Sequence, residues 1–317
     1  WVAGLDSADA DADADASGGK AGFNTPPPPP PSQQHVTTNG PLVVAPGIVW
    51  VIPVYKRAWT LDLVLSSLHL AGADESTIVV SQDADNPEVR ATAEKYRDDG
   101  SLPKIRLVSH PWSCSRHPHS FPGDDPALNV GYKGDSYGNP RSEWATCLKH
   151  HWWWVMNYVW SSGADTVCLL EDDIVVQSGT LEWLQEHAAD LNRNFGVKLT
   201  SSQIAVPWCM GREVWTKVHN AAHEFCSHDD YNWDQTLAWI TSHNKKSGSS
   251  LQGLNSIVAP KKPLSLHLGS CGGWDAGGRN TECSENEIAD KQKSARQFMQ
   301  AYGHVPPAIT RPWLKAH

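Results

Sequence analysis

Apolar runs and helical periodicities alternate along the chain from residue 48 onward. Residues 48–52 are consecutive apolar and mostly β-branched, which is typical of a buried strand. Apolar side chains then recur at helical spacing over residues 61–68, with Thr60 as the expected N-cap and Gly72 as the expected end of the helix. The apolar residues 78–80 predict a second strand after that helix.

The same alternation continues further along. Asn86 and Pro87 open a second predicted helix, in the usual order of a capping side chain followed by a proline, and residues 105–108 form a third predicted strand. Strands that alternate with helices favour parallel pairing through right-handed crossovers. The sequence therefore predicts an α/β fold with a mostly parallel central sheet.

A long loop divides the predicted fold. Residues 110–141 are rich in Pro, Gly and Asp, and loops of this length usually carry function or lack order. Beyond the loop we predict helices over residues 142–160, 180–191, 212–223 and 233–242, with strands at residues 166–170 and 264–266.

The first 46 residues have a different composition from the rest of the chain. An Asp/Ala alternation over residues 6–16 and a proline run over residues 26–31 lack the apolar side chains that a core needs. We therefore expect residues 1–46 to be a disordered or extended stalk, and residues 47–317 to form the folded domain.

Composition narrows the class of protein. The formal net charge is -9 and no stretch clusters Lys and Arg, which argues against a nucleic-acid partner. Seven cysteines without a C-x-x-C pair argue against a zinc ribbon.

The 16 tryptophans suit either core packing or stacking on sugar rings, and the sequence leaves both open. No apolar run approaches the roughly 20 residues of a membrane helix, and we expect any anchor to lie outside this sequence.

Acidic residues follow one of the predicted strands directly. Glu171, Asp172 and Asp173 stand at the carboxyl end of residues 166–170, where open α/β sheets bind their ligands. Carboxylates in that place suit a hard divalent cation, although a solvated turn explains them equally well. His267 follows another apolar strand, and together with Asp173 it would complete a mixed nitrogen and oxygen site suited to Mn²⁺.

One further acid stands near the start of a predicted helix. Asp234 closes an acidic and aromatic string that begins at Cys226. An aspartate there either compensates the helix dipole or acts as a general base toward a hydroxyl group. The residues alone favour the structural role.

Two strings make the chain resemble a known family. Lys-His-His-Trp-Trp-Trp at residues 149–154 and Asp-Asp-Tyr-Asn-Trp-Asp at residues 229–234 resemble the N-acetylglucosaminyltransferase II family, with spacing similar to its plant-type members. The resemblance extends from residue 49 to residue 283. It implies a GT-A-type, Rossmann-like nucleotide-sugar fold, UDP-GlcNAc as donor, Mn²⁺ as cofactor and an inverting transfer to an N-glycan mannose in the Golgi lumen.

The resemblance also assigns roles to individual positions. It implies Asp173 and His267 as metal ligands, Asp234 as the catalytic base, and a disulfide between Cys271 and Cys283. The positions that it implies for donor binding are Arg57 and Asp83, near the uridine, and Asp172, the middle acid of the triplet.

One segment departs from the family pattern. Residues 191–208 are shorter than the corresponding family segment and lack its close cysteine pair, and the expected partner of Cys226 would lie beyond residue 317. Two alternatives therefore stay open: a catalytically silent relative that binds a glycan or nucleotide, and an N-acetylglucosamine transferase with a different acceptor.

Overall fold

The computed structural model describes the part of the chain that forms the predicted catalytic domain. The described residues are 42, 47–83, 85–113, 117, 129–200, 206–228, 232–243, 251, 254, 256–269, 271, 282–300 and 308–312. Leu42 is buried against the core. The rest of the predicted stalk lies outside the described residues.

The first half of the fold follows the alternation that the sequence predicts. Its elements are β1 (Ile48–Val54), α1 (Ala58–Leu70), β2 (Thr77–Gln82), α2 (Pro87–Asp98) and β3 (Ile105–Ser109). Both β1 with β2 and β2 with β3 pair in parallel. The predicted β-α-β-α-β unit is therefore confirmed.

Local chemistry explains the start of α2 and the end of α1. The Asn86 side chain accepts hydrogen bonds from the backbone N–H groups of Glu88 at 2.9 Å and Val89 at 3.1 Å, as the cap prediction requires. Gly72 has φ +81, a left-handed conformation that closes α1 at low cost. The Thr60 cap was wrong, because α1 already begins at Ala58 and the buried Thr60 hydroxyl donates to the Arg57 carbonyl at 2.9 Å.

The second half contains more elements than the sequence predicts. They are α3 (Glu143–Ser161), β4 (Thr166–Leu169), β5 (Ile174–Val176), α4 (Thr180–Glu186), β6 (Val197–Lys198), β7 (Trp208–Gly211), α5 (Arg212–Asn220), α6 (Ala222–Ser227), α7 (Trp233–His243), β8 (Ser256–Pro260), β9 (Ser265–His267), α8 (Glu285–Gln300) and β10 (Ala308–Pro312). The helix predicted over residues 212–223 divides into α5 and α6, and the one predicted over residues 180–191 gives way to a 3₁₀ turn at Ala188–Asp190.

One mixed sheet organises these elements. Its eight strands run in the order β10-β8-β6-β7-β4-β1-β2-β3, and β4, β1, β2 and β3 form a continuous parallel block. On the other side of β4 the sheet becomes mixed, since β7 pairs antiparallel with both β4 and β6. A separate two-stranded antiparallel sheet joins β5 to β9. The predicted α/β class and mostly parallel sheet are confirmed.

Tryptophans fill much of the core beside this sheet. Trp50, Trp152, Trp183 and Trp208 are among the largest fully buried side chains. Trp152 of α3 lies parallel to Trp233 of α7, with ring centroids 5.0 Å apart, and to Trp208 of β7 at 6.5 Å. These residues therefore serve the core-packing role that the sequence left open.

None of the described helices is both long enough and apolar enough to span a bilayer.

Candidate active site

The predicted site residues converge because the first strands run in parallel. Arg57 follows β1, Asp83 follows β2, and the acidic triplet follows β4, so all of them stand at the carboxyl edge of one parallel block. Ligands of open α/β sheets bind at this edge. The second sheet brings His267 there as well, because it pairs with Ile174 directly after the triplet.

Three side chains form what we call the acid–imidazole cluster: Glu171, Asp173 and His267. Their ligand atoms all lie within 4.8 Å of one another. His267 Nε2 is 3.3 Å from Asp173 Oδ2, and the backbone N–H of Leu268 donates to the Asp173 carbonyl at 2.8 Å. The structure thus joins the two predicted metal ligands and adds Glu171, the first acid of the triplet, to which the resemblance assigns no individual role.

An arginine covers the other side of the triplet. Arg57 Nη1 donates to Asp173 Oδ2 at 2.9 Å, while Nε and Nη2 both contact the Asp172 carboxylate. Both aspartates are buried. Burial alone would lower the pKa of Arg57, but Asp172 and Asp173 raise it above its ordinary value. Arg57 and Asp172, both predicted for donor binding, therefore pair with each other beside the acid–imidazole cluster.

Repulsion between neighbouring carboxylates shifts the pKa values in the acid–imidazole cluster. Burial, with the charges of Asp173 and Asp234, raises the pKa of Glu171 to about 8. Burial opposes ionisation of Asp173 too, but its hydrogen bond with His267 and the charge of Arg57 lower the pKa of that carboxyl. The same hydrogen bond raises the pKa of His267. Asp173 and His267 thus favour the ionised pair, whereas Glu171 resists ionisation.

These residues fit a divalent cation. Asp173 Oδ1 is buried and has no hydrogen-bond partner, which is costly unless another group occupies that place. Carboxylate oxygens and an imidazole nitrogen are ligands that Mn²⁺ and Mg²⁺ accept. A cation here would also relieve the repulsion that raises the pKa of Glu171.

The predicted base lies within electrostatic range of this site. Asp234 is the second residue of α7 and accepts a hydrogen bond from the Gln235 backbone N–H at 2.8 Å. Its charge contributes to the raised pKa of Glu171 in the acid–imidazole cluster. Asp234 thus occupies a first helical turn, as its structural interpretation requires, and its role as a base stays a prediction.

Asp83 belongs to a second group, the histidine cluster, formed by Asp83, His110, His150 and His151. His110 is fully buried, and its Nδ1 donates to Asp83 Oδ1 at 2.9 Å. A hydrogen bond of 2.9 Å joins His110 Nε2 to His150 Nδ1. His151 stacks on His110 with ring centroids 4.5 Å apart and bonds to Ser81 Oγ at 2.7 Å. This cluster was missed by the sequence analysis, although two of its histidines belong to the distinctive Lys-His-His string.

Cysteine chemistry completes the description. Cys271 forms the expected disulfide with Cys283, and a disulfide also links the buried Cys168 and Cys209 of β4 and β7. Cys147 has its Sγ 3.8 Å from Asp83 Oδ1, but it is disulfide-bonded and is not available as a metal ligand. Cys226 is an exposed free thiol.

Comparisons with known proteins identify the family of the chain. The sequence model of the N-acetylglucosaminyltransferase II (MGAT2) family matches residues 32–195 and 185–307. An Arabidopsis thaliana alpha-1,6-mannosyl-glycoprotein 2-beta-N-acetylglucosaminyltransferase is 27% identical over 77% of this chain and 63% of its own length. The Homo sapiens protein of that name is 26% identical over 71% of this chain and 59% of its own.

The chain thus spans about three fifths of the length of these curated relatives. Among solved structures, the galactosyltransferase LgtC with donor and acceptor sugar analogues covers 81% of this chain and 98% of its own, at 12% identity and a TM-score of 0.39. The fold class follows from the strand order and pairing of the chain itself. The two matching segments of the family model together cover well over half of the sequence, and the chain belongs to the N-acetylglucosaminyltransferase II family.

Proposed function

We propose that the chain is the catalytic domain, of GT-A type, of an inverting transferase. It moves N-acetylglucosamine from UDP-GlcNAc, in β-1,2 linkage, to the α-1,6-arm mannose of an N-glycan. The observation that carries the proposal is the acid–imidazole cluster at the carboxyl edge of the parallel strands, in a chain of this family.

The metal in this proposal is Mn²⁺. Asp173 and His267 would hold it, with Glu171 as a third ligand candidate, and a bound divalent ion supplies positive charge to the departing diphosphate. The unpaired Asp173 oxygen and the mixed donor set support this assignment.

The chain's own residues carry the proton and orient the donor. In a single displacement, the mannose hydroxyl oxygen bonds to the anomeric carbon while the bond from that carbon to the phosphate oxygen breaks. The electron pair of the broken bond stays on the diphosphate, and Asp234 accepts the hydroxyl proton. Arg57 and Asp172 would contact the donor beside the metal ligands, and Asp83 would lie near its uridine.

Replacing the base tests the reaction. A positioned base contributes about 10² to 10⁴ in rate, so Asp234→Asn should lower kcat by that range while UDP affinity stays near the parental value. Asp98→Asn, an exposed change on α2, is the matched control. Parental turnover in Asp234→Asn, with turnover lost in Asp229→Asn or Asp230→Asn, would show that the base is one of those neighbours, which lie outside the described residues.

A silent relative that only binds is the second candidate. The short segment over residues 191–208 favours it, because the family carries a longer segment there. Binding and catalysis separate in one experiment: a silent binder gains thermal stability with UDP and Mn²⁺ but transfers no N-acetylglucosamine. The fully transferring enzyme shows both.

A luminal Golgi setting is part of the proposal. The disulfides Cys168–Cys209 and Cys271–Cys283 support it, since such bonds persist in oxidising compartments. Peptide mapping of the secreted chain without reductant should recover both bonds. Free thiols at these four positions would contradict a secretory origin.

A further inference from the structure

Helix α3 carries the Lys-His-His-Trp-Trp-Trp string, whose first residue has no role in the site described so far. Lys149 and Trp152 are three residues apart and therefore share one face of the helix. His150 and His151 instead contact His110, on the side of Asp83. The side chains of this string therefore lie on two faces of α3, one toward His110 and the other toward α6 and α7.

Lys149 is a buried cation with specific contacts. Its side chain is only 7% exposed, and Nζ donates a hydrogen bond to the backbone carbonyl of His228, the residue that follows α6. Nζ also lies 5.1 Å from the centre of the Phe225 ring, within the range of a cation–π contact. Burying an ammonium group costs free energy unless partners compensate it. The His228 carbonyl is one such partner, so the hydrogen bond fixes the position of that carbonyl relative to α3.

The same face of α3 also fixes the start of α7. Trp152 lies parallel to Trp233, the first residue of α7, at 5.0 Å and 2° between the ring planes. The His228 ring in turn stacks on Trp239 of α7, with centroids 3.8 Å apart. His228 and Trp233 stand on either side of residues 229–231, and Asp234 comes directly after Trp233.

We propose that Lys149 is a positioning residue for the catalytic base. By holding the His228 carbonyl against α3, it sets where the chain enters α7 and so where the Asp234 carboxylate points. In this role Lys149 acts through the His228 carbonyl and takes no part in the proton transfer itself. The inference rests on the proposed function, because it needs Asp234 to accept the acceptor proton.

Lys149→Met tests this role. Methionine keeps an apolar stem over Phe225 but cannot donate to the His228 carbonyl. Displacing a catalytic group by about 1 Å can cost 10²-fold in rate, so kcat should fall by about tenfold to a hundredfold. The affinity for UDP with Mn²⁺ should stay within about twofold of the parent, because the acid–imidazole cluster is untouched. Lys149→Arg keeps a charged donor and should recover most of the lost kcat.

The controls separate positioning from a general loss of structure. Lys95→Met removes an exposed lysine, paired with Asp62, and should leave kcat unchanged. Parental kcat in Lys149→Met would overturn the inference, and so would equal losses of kcat and of UDP affinity. If Lys149→Met does not fold, Lys149→Gln replaces it; its amide is uncharged and one bond shorter than the lysine side chain, so it holds the His228 carbonyl less well and must show the same split between kcat and UDP affinity. A parent without turnover would instead overturn the proposed function, together with the inference that rests on it.

Discussion

The acid–imidazole cluster and the histidine cluster show how similar groupings differ in what they can bind. Each brings together side chains of the types that ligate metals, within a few ångström, beside the carboxyl edge of the sheet. In the histidine cluster, hydrogen bonds link Asp83 to His110 and His110 to His150, and the neighbouring Cys147 is disulfide-bonded. In the acid–imidazole cluster, one buried carboxylate oxygen has no partner.

The direction of the pKa shifts separates the two clusters further. Burial, with the charges of Asp173 and Asp234, raises the pKa of Glu171 to about 8, which reflects an excess of negative charge. Burial, with the neighbouring His110, lowers the pKa of His151 to about 3, so that ring stays neutral. Close packing of ligand atoms is common to both clusters, whereas the unpaired oxygen and the excess of like charge are features of the acid–imidazole cluster.

The largest expected effect follows from removing the unpaired oxygen. Asp173→Ala should abolish the gain in UDP affinity that Mn²⁺ provides, a loss of about hundredfold or more, equal to about 2.7 kcal/mol. Calorimetric titration of UDP with and without Mn²⁺ measures this gain. An undiminished gain in the variant would place the cation elsewhere.

The next effect concerns the neutral histidine cluster in acid. The pKa of His151 is about 3 in the folded chain and about 6.5 in the unfolded chain, so between these values the unfolded state binds more protons. Stability should therefore fall as the pH drops below about 6.5, by up to about 2 kcal/mol at pH 5. His151→Gln cannot titrate, and its urea unfolding should depend less on pH over that range. Equal slopes for parent and variant would show that His151 is not kept neutral.

An effect of opposite sign is expected in the acid–imidazole cluster. The pKa of Glu171, raised to about 8 by burial and by Asp173, makes its ionisation oppose folding as the pH rises from about 4.5 to 8. Glu171→Gln should therefore stabilise the metal-free protein at pH 8, and by much less at pH 5. The same variant should bind Mn²⁺ more weakly. Melting curves in a chelator give the first quantity, and a loss of stability at pH 8 would contradict the excess of charge.

The smallest expected effect is a null result on metal binding. Asp83→Asn changes the histidine cluster but leaves every acid–imidazole ligand in place. The number of Mn²⁺ ions bound per chain, measured by electron paramagnetic resonance titration, should not change. A lost ion would make the histidine cluster a second metal site.

The sequence predicts the parallel block well, because its strands are apolar runs, the apolar residues of α1 recur at helical spacing and Asn86 caps α2. The mixed part of the sheet escapes such analysis for physical reasons. Strand β6 has two residues, too few for a periodicity, and β10 is an edge strand that ends in Pro312. Helix α8 buries only Ala295 and Met299 among its described side chains, so its apolar stripe is too narrow to mark a helix.

The candidate site was predictable only in part. The triplet and His267 stand out because they follow apolar strands, but the sequence does not show which acids turn toward His267. Glu171 joins Asp173 in the cluster, whereas Asp172 turns to Arg57. His110 is a single histidine at the start of a long predicted loop, and its bonds join the end of β2 to α3. Such contacts depend on tertiary structure that no local pattern encodes.

Reduction of the disulfide between Cys168 and Cys209 can measure how often β4 and β7 separate. The two residues face each other directly in the β4–β7 pairing, and neither side chain is exposed at all. Thiolate reductants act only on a sulfur that they can reach, so reduction must wait until these strands separate. The rate at which a reductant cleaves this bond under native conditions would therefore report how often β4, the strand that precedes the acidic triplet, separates from β7.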